Sequence, residues 1–216
     1  MPGPAPAAAR SHRAASVELA RLDPVMADLV AQHGPCRIAP KPRVDDRYMD
    51  LASSIVYQQL AGKAAATIWG RVRALTPDGF TPEAVLALSD EELRGAGLSG
   101  NKMASVRDLS DRVLRGEVEL GRMGRLPDDV VVEQLVKVRG IGPWTAHMFL
   151  IFALHRMDVW PIGDYGVRAG YAKAFGHAEL PTPVELDALG DAFRPYRSVA
   201  AWYCWRAADT KTPSAD

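Results

Sequence analysis

The sequence predicts an all-α fold, because helix signals recur along the 216 residues while strand signals are scarce. Residues that cap helix starts, such as Ser89 with Glu92 three positions later, stand before apolar runs. The apolar residues in those runs return every three or four positions, which is the period of one helix face.

The helix predictions of the first half follow caps, prolines and apolar stripes. Asp23 before Pro24 is a cap with proline at the first helical position, and Gly34 ends that helix. Residues 37–47 are Pro-rich and polar, which fits either a connector or a short extended piece. The other predictions are a helical stretch from about Arg47 to Leu75 that breaks near Ala61-Gly62, short helices opened by Thr81-Pro82 and by Ser89, a loop holding Gly100, and a stripe of Met103, Val106, Leu109 and Val113.

The second half adds five helices. Their predicted extents are Pro127 to Val138, Gly142-Pro143 to about Leu154, Asp164 to about Phe175, and two helices opened by Thr182-Pro183 and Pro195-Tyr196. The chain therefore holds roughly ten short helices.

The chain ends are predicted to lie outside the folded domain, which spans 16–209. Residues 1–15 indicate a disordered tail, and 210–216 are expected to fray. The first segment has no apolar core of a secretory signal; an organelle transit peptide is an alternative, since it carries Arg10 and Arg13 and no acid. No apolar run reaches the ~20 residues that cross a membrane.

The composition narrows the function classes. Lys and Arg total 26 and Asp and Glu total 26, so the net charge is zero, which argues against a strongly basic nucleic-acid coat. Contacts to DNA phosphates through a local patch or backbone amides remain open. Cys36 and Cys204 are too few for an iron–sulfur cluster or a four-cysteine zinc site.

The most informative segment is Gly140-Ile141-Gly142-Pro143-Trp144-Thr145-Ala146, which lies between two helical patterns. Two glycines there permit a tight turn with positive φ and no obstructing side chain. Their amides, with the positive end of the next helix, can approach a phosphate. Asp164 follows Gly142 by 164 − 142 = 22 residues, so a backbone clamp is followed by a carboxylate.

Several blocks in order resemble the helix-hairpin-helix DNA glycosylases, and among them the 3-methyladenine (alkylpurine) DNA glycosylase II family. The resemblance covers about residues 16–208. The blocks are Ser54–Leu60, Leu98–Lys102, Gly140–Ala146, Asp158–Tyr165, and Tyr196–Ser198 with the aromatic run Trp202–Trp205. It implies a two-lobed fold with a DNA cleft, with a middle lobe of about 46–125 and a second lobe of 16–45 plus 126–209.

The resemblance implies that Asp164 is the catalytic acid, which stabilises the positive charge that develops on the sugar when the base leaves. Helix capping is the alternative role for Asp164. Asp158 is the competing candidate acid.

Trp144 stands where bifunctional relatives place the lysine that forms a Schiff base, so the resemblance implies a glycosylase without lyase activity. An aromatic ring there also suits a cationic base, although packing in the core is an alternative. Met148 and Gly163 depart from the best-known relative, which puts the substrate range in doubt. The base-pocket candidates are Trp144, Tyr57, Trp160, Tyr196 and Met148, while Trp202 and Trp205 are interpreted as core residues.

The resemblance also implies the DNA contacts. Gln59 occupies the position of the wedge that fills the gap left by the flipped base, with helix capping as its alternative. The DNA-binding candidates are Gln59, Leu60, Lys102, Gly140, Gly142 and Thr145, and for Lys102 a solvated role is an alternative. Carbonyls of Val136, Val138 and Ile141 match positions where the family often binds a monovalent cation; no other cofactor is expected.

The predicted function is release of alkylated purines from duplex DNA in base excision repair, by a monomer that contacts no membrane. The expected location is the bacterial cytoplasm (nucleoid) or the eukaryotic nucleus, without secretion. Two alternatives remain: a related glycosylase for another lesion, such as a deaminated or etheno base, and a non-catalytic DNA-binding module.

Overall fold

The computed structural model describes residues 11–38 and 46–209, and within these ranges it contains twelve α-helices and no strand. The all-α prediction is confirmed. Residues 1–10, 39–45 and 210–216 lie outside the described residues, and with them most of the predicted tails and of the Pro-rich connector.

The first helix was not predicted, whereas the second begins where the sequence analysis placed it. Helix α1 spans His12–Leu22 and is capped by Ser11, whose side chain accepts a hydrogen bond from the amide of Ala14. The predicted tail of 1–15 therefore extends too far, since an N-cap serine was overlooked and Ala15 is fully buried. Helix α2, Pro24–His33, begins after the predicted cap Asp23.

The middle of the chain forms helices α3 to α9. The break expected near Ala61-Gly62 is confirmed, because α3 ends at Tyr57 and α4 begins at Gly62. Gly100 was placed in a loop but is the first residue of α7, because Ser99 caps that helix. The bounds are α3 Arg47–Tyr57, α4 Gly62–Ala74, α5 Pro82–Ala87, α6 Asp90–Gly95, α7 Gly100–Leu114, α8 Asp128–Val136 and α9 Pro143–Met148.

Helix α9 continues as a π-helical turn over Phe149–Ala153, so the predicted helix to Leu154 exists but changes its winding. The last three helices are α10 Tyr165–Phe175, α11 Pro183–Gly190 and α12 Arg197–Asp209. None of the helices in the described ranges is long and apolar enough to cross a membrane.

The chain divides into two compact units. The middle unit contains described residues 46–154, and the outer unit contains 11–38 together with 155–209. The predicted lobe boundary at about residue 125 is wrong, because α8, α9 and the π turn belong to the middle unit. The error arose from assigning the hairpin to the same lobe as the helices that follow it.

The outer unit is held together by contacts within and between its two parts of the chain. Helices α10 and α12 pack so closely that a Cβ on Gly170 would overlap the carbonyl oxygen of Cys204. The hydroxyl of Tyr203 donates to the carbonyl of Gly34 and so joins the two parts, while within the N-terminal part the amide of Cys36 donates to Ser16 Oγ. The contact between α10 and α12 holds the helix whose N-terminus carries Asp164.

Candidate functional site

The turn between α8 and α9 needs glycine at only one of its two glycine positions. Gly140 has φ +78°, and a Cβ there would lie 2.7 Å from Ser105 Oγ. Gly142 has φ −98°, and nothing lies within 4 Å of the position of its missing Cβ. The prediction that both glycines permit the turn is thus correct for Gly140 and wrong for Gly142, whose backbone any residue can adopt. The open space at Gly142 exposes the start of α9 instead.

Helix α7 holds this turn in place. The amide of Arg139 donates to Asp108 Oδ2 at 2.7 Å, and the Arg139 guanidinium donates to Asn101 Oδ1 at 3.1 Å. Within the turn, the amide of Ile141 donates to the carbonyl of Val138 at 3.0 Å. The hairpin backbone is therefore fixed by hydrogen bonds before any ligand arrives.

The loop between α3 and α4 is tied to the same turn. Gln58 Nε2 donates to the carbonyl of Gly140 at 2.8 Å. The next residue, Gln59, has φ +55°, which is uncommon for a residue with a side chain, and it is exposed. Leu60 is 37% exposed. The loop thus presents the predicted wedge residue Gln59 and its neighbour Leu60, a predicted DNA-binding residue, to solvent, and Gln58, which sequence reasoning missed, anchors the loop.

A polar cavity of about 380 Å³ lies between these loops and the start of α7. It brings together three predicted DNA-binding residues, Gln59, Lys102 and Gly140. The lining also includes Gln58, Ser99, Asn101, Ser105 and Arg139.

Lys102 has a different role in the structure from the predicted phosphate contact. Its ammonium donates to the carbonyl of Val56 at 2.6 Å, near the C-terminal end of α3. Partial burial lowers the pKa of Lys102. The last carbonyls of a helix lack intrahelical donors, so the lysine stabilises the C-terminal end of α3. The loop between α3 and α4, called the wedge loop below, starts directly after this helix end.

A second, mostly apolar cavity of about 260 Å³ opens between α3 and the α9 segment with its π turn. Met148, a predicted pocket residue, lines it. Thr145 also lines it and is only 5% exposed, so its side chain is not placed to meet a DNA backbone as predicted. The remaining lining residues are Asp50, Leu51, Ser53, Ser54, Phe149, Phe152 and Ala153.

Asp50 is the charged residue of that cavity, and sequence reasoning missed it. Its Oδ2 is buried and accepts no hydrogen bond from the described residues. Burial raises the pKa of Asp50, and the neighbouring Asp46 carboxylate raises it further. The hydroxyls of Ser53 and Ser54 do not compensate, because they donate to the carbonyls of Asp50 and Leu51.

The four aromatic pocket candidates divide into two pairs. Trp144 is 50% exposed and Tyr57 is 40% exposed, so both offer rings to a ligand, and Trp144 is not a core residue. Trp160 and Tyr196 are only 5% and 6% exposed and belong to the hydrophobic core of the outer unit. Their assignment to the pocket is wrong. The Trp160 indole donates to the carbonyl of Leu186 at 2.7 Å, which accounts for its polar atom within the core.

Asp164 lies at the N-terminus of α10 and is 8% exposed. Its Oδ1 accepts the amide of Val167 at 2.8 Å, so the predicted capping role is confirmed. The same oxygen accepts the indole N–H of Trp205 from α12 at 2.9 Å. One carboxylate oxygen thus receives donors from two helices, which fixes the rotamer of the acid.

Gly166 permits this arrangement. A Cβ on Gly166 would lie 2.9 Å from Trp205 Cδ1 and 3.2 Å from Asp164 Oδ1. Sequence reasoning interpreted Trp205 as a core residue and overlooked Gly166. A glycine in the first helical turn after the acid, where better helix formers are preferred, was the available signal of a close approach.

Asp158 is excluded as the reactive acid by its partners. Its carboxylate forms ion pairs with Arg197 Nε at 2.8 Å and with Arg194 Nη1 at 2.9 Å. These bonds tie the start of α12 to the loop before α10, so Asp158 is structural.

No group of three or more potential metal-binding side chains occurs in the parts of the chain that the structure describes. The predicted cation site depends on carbonyls instead. The carbonyl oxygen of Val138 accepts the amide of Ile141 with one of its two lone pairs, so the other lone pair remains for a cation. The residues present therefore fit a cation at this turn, and the site stays a prediction.

Comparisons with known proteins agree with this arrangement. The family model described as HhH-GPD superfamily base excision DNA repair protein matches residues 52–195. DNA-3-methyladenine glycosylase 1 of Schizosaccharomyces pombe is 31% identical over 89% of this chain and 86% of its own length.

Two solved structures are similar over most of the chain. A DNA-3-methyladenine glycosidase from Bacillus halodurans has a TM-score of 0.81 and 35% identity, covering 90% of this chain and 89% of its own. The 3-methyladenine DNA glycosylase of Schizosaccharomyces pombe, in complex with abasic DNA, has a TM-score of 0.77 and 31% identity, covering 91% of this chain and 99% of its own.

Proposed function

Because the chain belongs to the HhH-GPD superfamily of base excision DNA repair proteins, we propose that it is a DNA glycosylase that releases alkylated purines from duplex DNA. The observation that carries the proposal is the carboxylate of Asp164, held at the start of α10 by Val167 and Trp205. The similar proteins named as 3-methyladenine glycosylases support the substrate class.

The chemistry needs little more than a fixed negative charge. An alkylated purine such as 3-methyladenine is already cationic, so the bond from C1′ to the base breaks with its electron pair leaving on the base. Positive charge then develops on the sugar, and the Asp164 carboxylate stabilises it. Water adds to C1′ and loses a proton, which leaves an abasic site and a free base.

The hairpin and the wedge loop supply the DNA contacts in this proposal. The amides at Gly140, Gly142 and the start of α9 bind a phosphate, and the open space at Gly142 admits it. Gln59 enters the space that the flipped nucleotide leaves, which offsets part of the few kcal/mol that flipping costs. A monovalent cation held by Val136, Val138 and Ile141 would add positive charge beside that phosphate.

We propose further that the enzyme has no lyase activity and acts as a monomer on the DNA of the nucleoid or nucleus. Trp144, at the position of the lysine in bifunctional relatives, has no amine that could attack the sugar. Borohydride should therefore trap no adduct between the protein and DNA, and the strand should stay intact until alkali is added. A trapped adduct would contradict this part of the proposal.

Asp164→Asn tests the catalytic proposal, because asparagine can still cap α10 while the charge is lost. With duplex oligonucleotides that contain one 7-methylguanine or 3-methyladenine, we expect base release to fall about 100-fold or more. Binding to abasic duplex DNA, measured by fluorescence anisotropy, should persist and serves as the folding control. Release at the wild-type rate by the variant would overturn the mechanism.

A further inference from the structure

The mostly apolar cavity between α3 and the α9 segment contains one charged group without a compensating donor. Asp50 lines it, and Asp50 Oδ2 is buried with no hydrogen-bond donor among the described residues. Buried polar atoms in proteins are satisfied in the large majority of cases, so each exception calls for an explanation. Apolar side chains such as Met148 and Phe152 line the same cavity.

A purely structural role explains Asp50 poorly. An acid in the first turn of α3 does favour the positive end of that helix. Asp46, at the N-cap of the same helix, already supplies a negative charge there. Its charge also raises the pKa of Asp50, so it makes the ionised form of Asp50 less favourable. Helix stabilisation also does not require a carboxylate oxygen buried against an apolar wall.

We propose that this cavity receives the flipped base and that Asp50 selects bases that are positively charged. The proposal rests on the proposed glycosylase function and assigns the preference of the enzyme for cationic bases to one residue. Ligand sites for drug-sized molecules measure roughly 300–1,000 Å³, so a cavity of about 260 Å³ suits one nucleobase. A cationic ring, or the amino group of such a base, supplies the donor and charge that Asp50 Oδ2 lacks.

The apolar wall strengthens this selection. Electrostatic attraction grows as water is excluded, so a cationic purine between Met148 and Phe152 interacts with Asp50 more strongly than it would in solution. A neutral base of the same shape leaves the carboxylate charge uncompensated. Asp50 therefore favours alkylated purines over neutral lesions such as hypoxanthine.

The first experiment compares excision of 7-methylguanine with excision of hypoxanthine from matched duplexes by the wild type and by Asp50→Asn. A hydrogen bond to a charged group predicts that the ratio of the two rates falls about tenfold in the variant. Asp46→Asn is the matched control, because it removes an acid from the same helix end but not from the cavity lining; its ratio should stay at the wild-type value. An unchanged ratio in Asp50→Asn overturns the proposal.

The second experiment needs no catalysis, so it separates this proposal from the proposed function. Calorimetry with 7-methylguanosine and guanosine should show tighter binding of the cationic nucleoside to the wild type, by about tenfold, and no preference in Asp50→Asn. If the wild type binds the two nucleosides equally well, the proposed selectivity of the cavity is wrong, even if the protein releases bases from DNA. A preference for the cation in a protein that releases no base would uphold the cavity and overturn only the glycosylase proposal.

Discussion

At the scale of single residues, the indole of Trp205 positions the carboxylate of Asp164, which we propose to be catalytic. It donates to Asp164 Oδ1, the oxygen that also receives the amide of Val167. The helix cap supplies a donor from α10 itself, and the indole adds a donor from a different helix. An acid that must face one carbon of a sugar benefits from such preorganisation.

Trp205→Phe should lower kcat for release of 7-methylguanine by roughly tenfold, because it removes a hydrogen bond to a charged group and keeps an aromatic ring. Single-turnover kinetics measures the effect. Trp202→Phe is the control, since Trp202 packs against Tyr203 and Arg206 and its kcat should stay within about twofold of the wild type. Equal losses in both variants would show that only packing is involved.

The site residues show which roles the sequence could predict. Local patterns predicted a helix start at Asp164 and a tight turn at Gly140, and the structure has both, whereas their roles in catalysis and DNA binding were implied by the family resemblance and stay predictions. The core positions of Trp160 and Tyr196, and the cavity position of Asp50, depend on which helices pack together. No local pattern contains that information, so an aromatic residue of the core and one of a pocket look alike in sequence.

Substitution by alanine should affect different properties at the two hairpin glycines: DNA binding at Gly142 and stability at Gly140. Gly142→Ala should leave thermal stability unchanged, since the position has ordinary φ and open space, yet weaken binding to abasic DNA by at least about tenfold by blocking a phosphate. Gly140→Ala should lower the stability of the protein by about 1–3 kcal/mol, because φ is positive and Ser105 Oγ is too close. Melting curves and fluorescence anisotropy separate the two effects. Unaltered DNA affinity in Gly142→Ala would contradict the phosphate assignment.

At the scale of elements, the closest helix contact is that between α10 and α12. Gly170 is the residue that permits it, because a Cβ there would overlap the Cys204 carbonyl. This contact holds the two helices that supply the acid and the indole. Sequence patterns predicted both helices, but their separation is set by one small residue in the middle of α10, where glycine is otherwise unfavourable.

Gly170→Ala should therefore destabilise the protein by about 3 kcal/mol or more, since backbone rather than a flexible side chain blocks the new methyl group. Chemical denaturation measures the loss. Gly62→Ala serves as the comparison, because nothing lies within 4 Å of that position and alanine favours the helix, so stability should be equal or slightly higher. A Gly170→Ala protein of wild-type stability would show that α10 and α12 can separate freely.

At the scale of the whole molecule, the features that the sequence could predict depend on local patterns, whereas those that it could not predict depend on long-range packing. Caps and apolar stripes predicted nearly every helix, and the Ser89 and Glu92 capping box is confirmed. The lobe boundary at 125 was wrong because units are defined by long-range packing, and helices α8 and α9 carry no local mark of the unit to which they belong. Helix α1 was missed for a smaller reason, since residues 1–15 were assigned to a tail and the cap at Ser11 was overlooked.

The outer unit is assembled from two stretches separated by the whole middle unit. On the ribosome, the middle unit emerges as one uninterrupted stretch, whereas the contacts of α1 and α2 with α12 can form only after the middle unit has been made. Trp205 lies on α12, so the indole that donates to Asp164 becomes available only after that helix has been synthesised. A nascent chain can therefore form its hairpin before Asp164 has this donor, and termination within α12 before Trp205 yields a protein in which the Asp164 carboxylate lacks it.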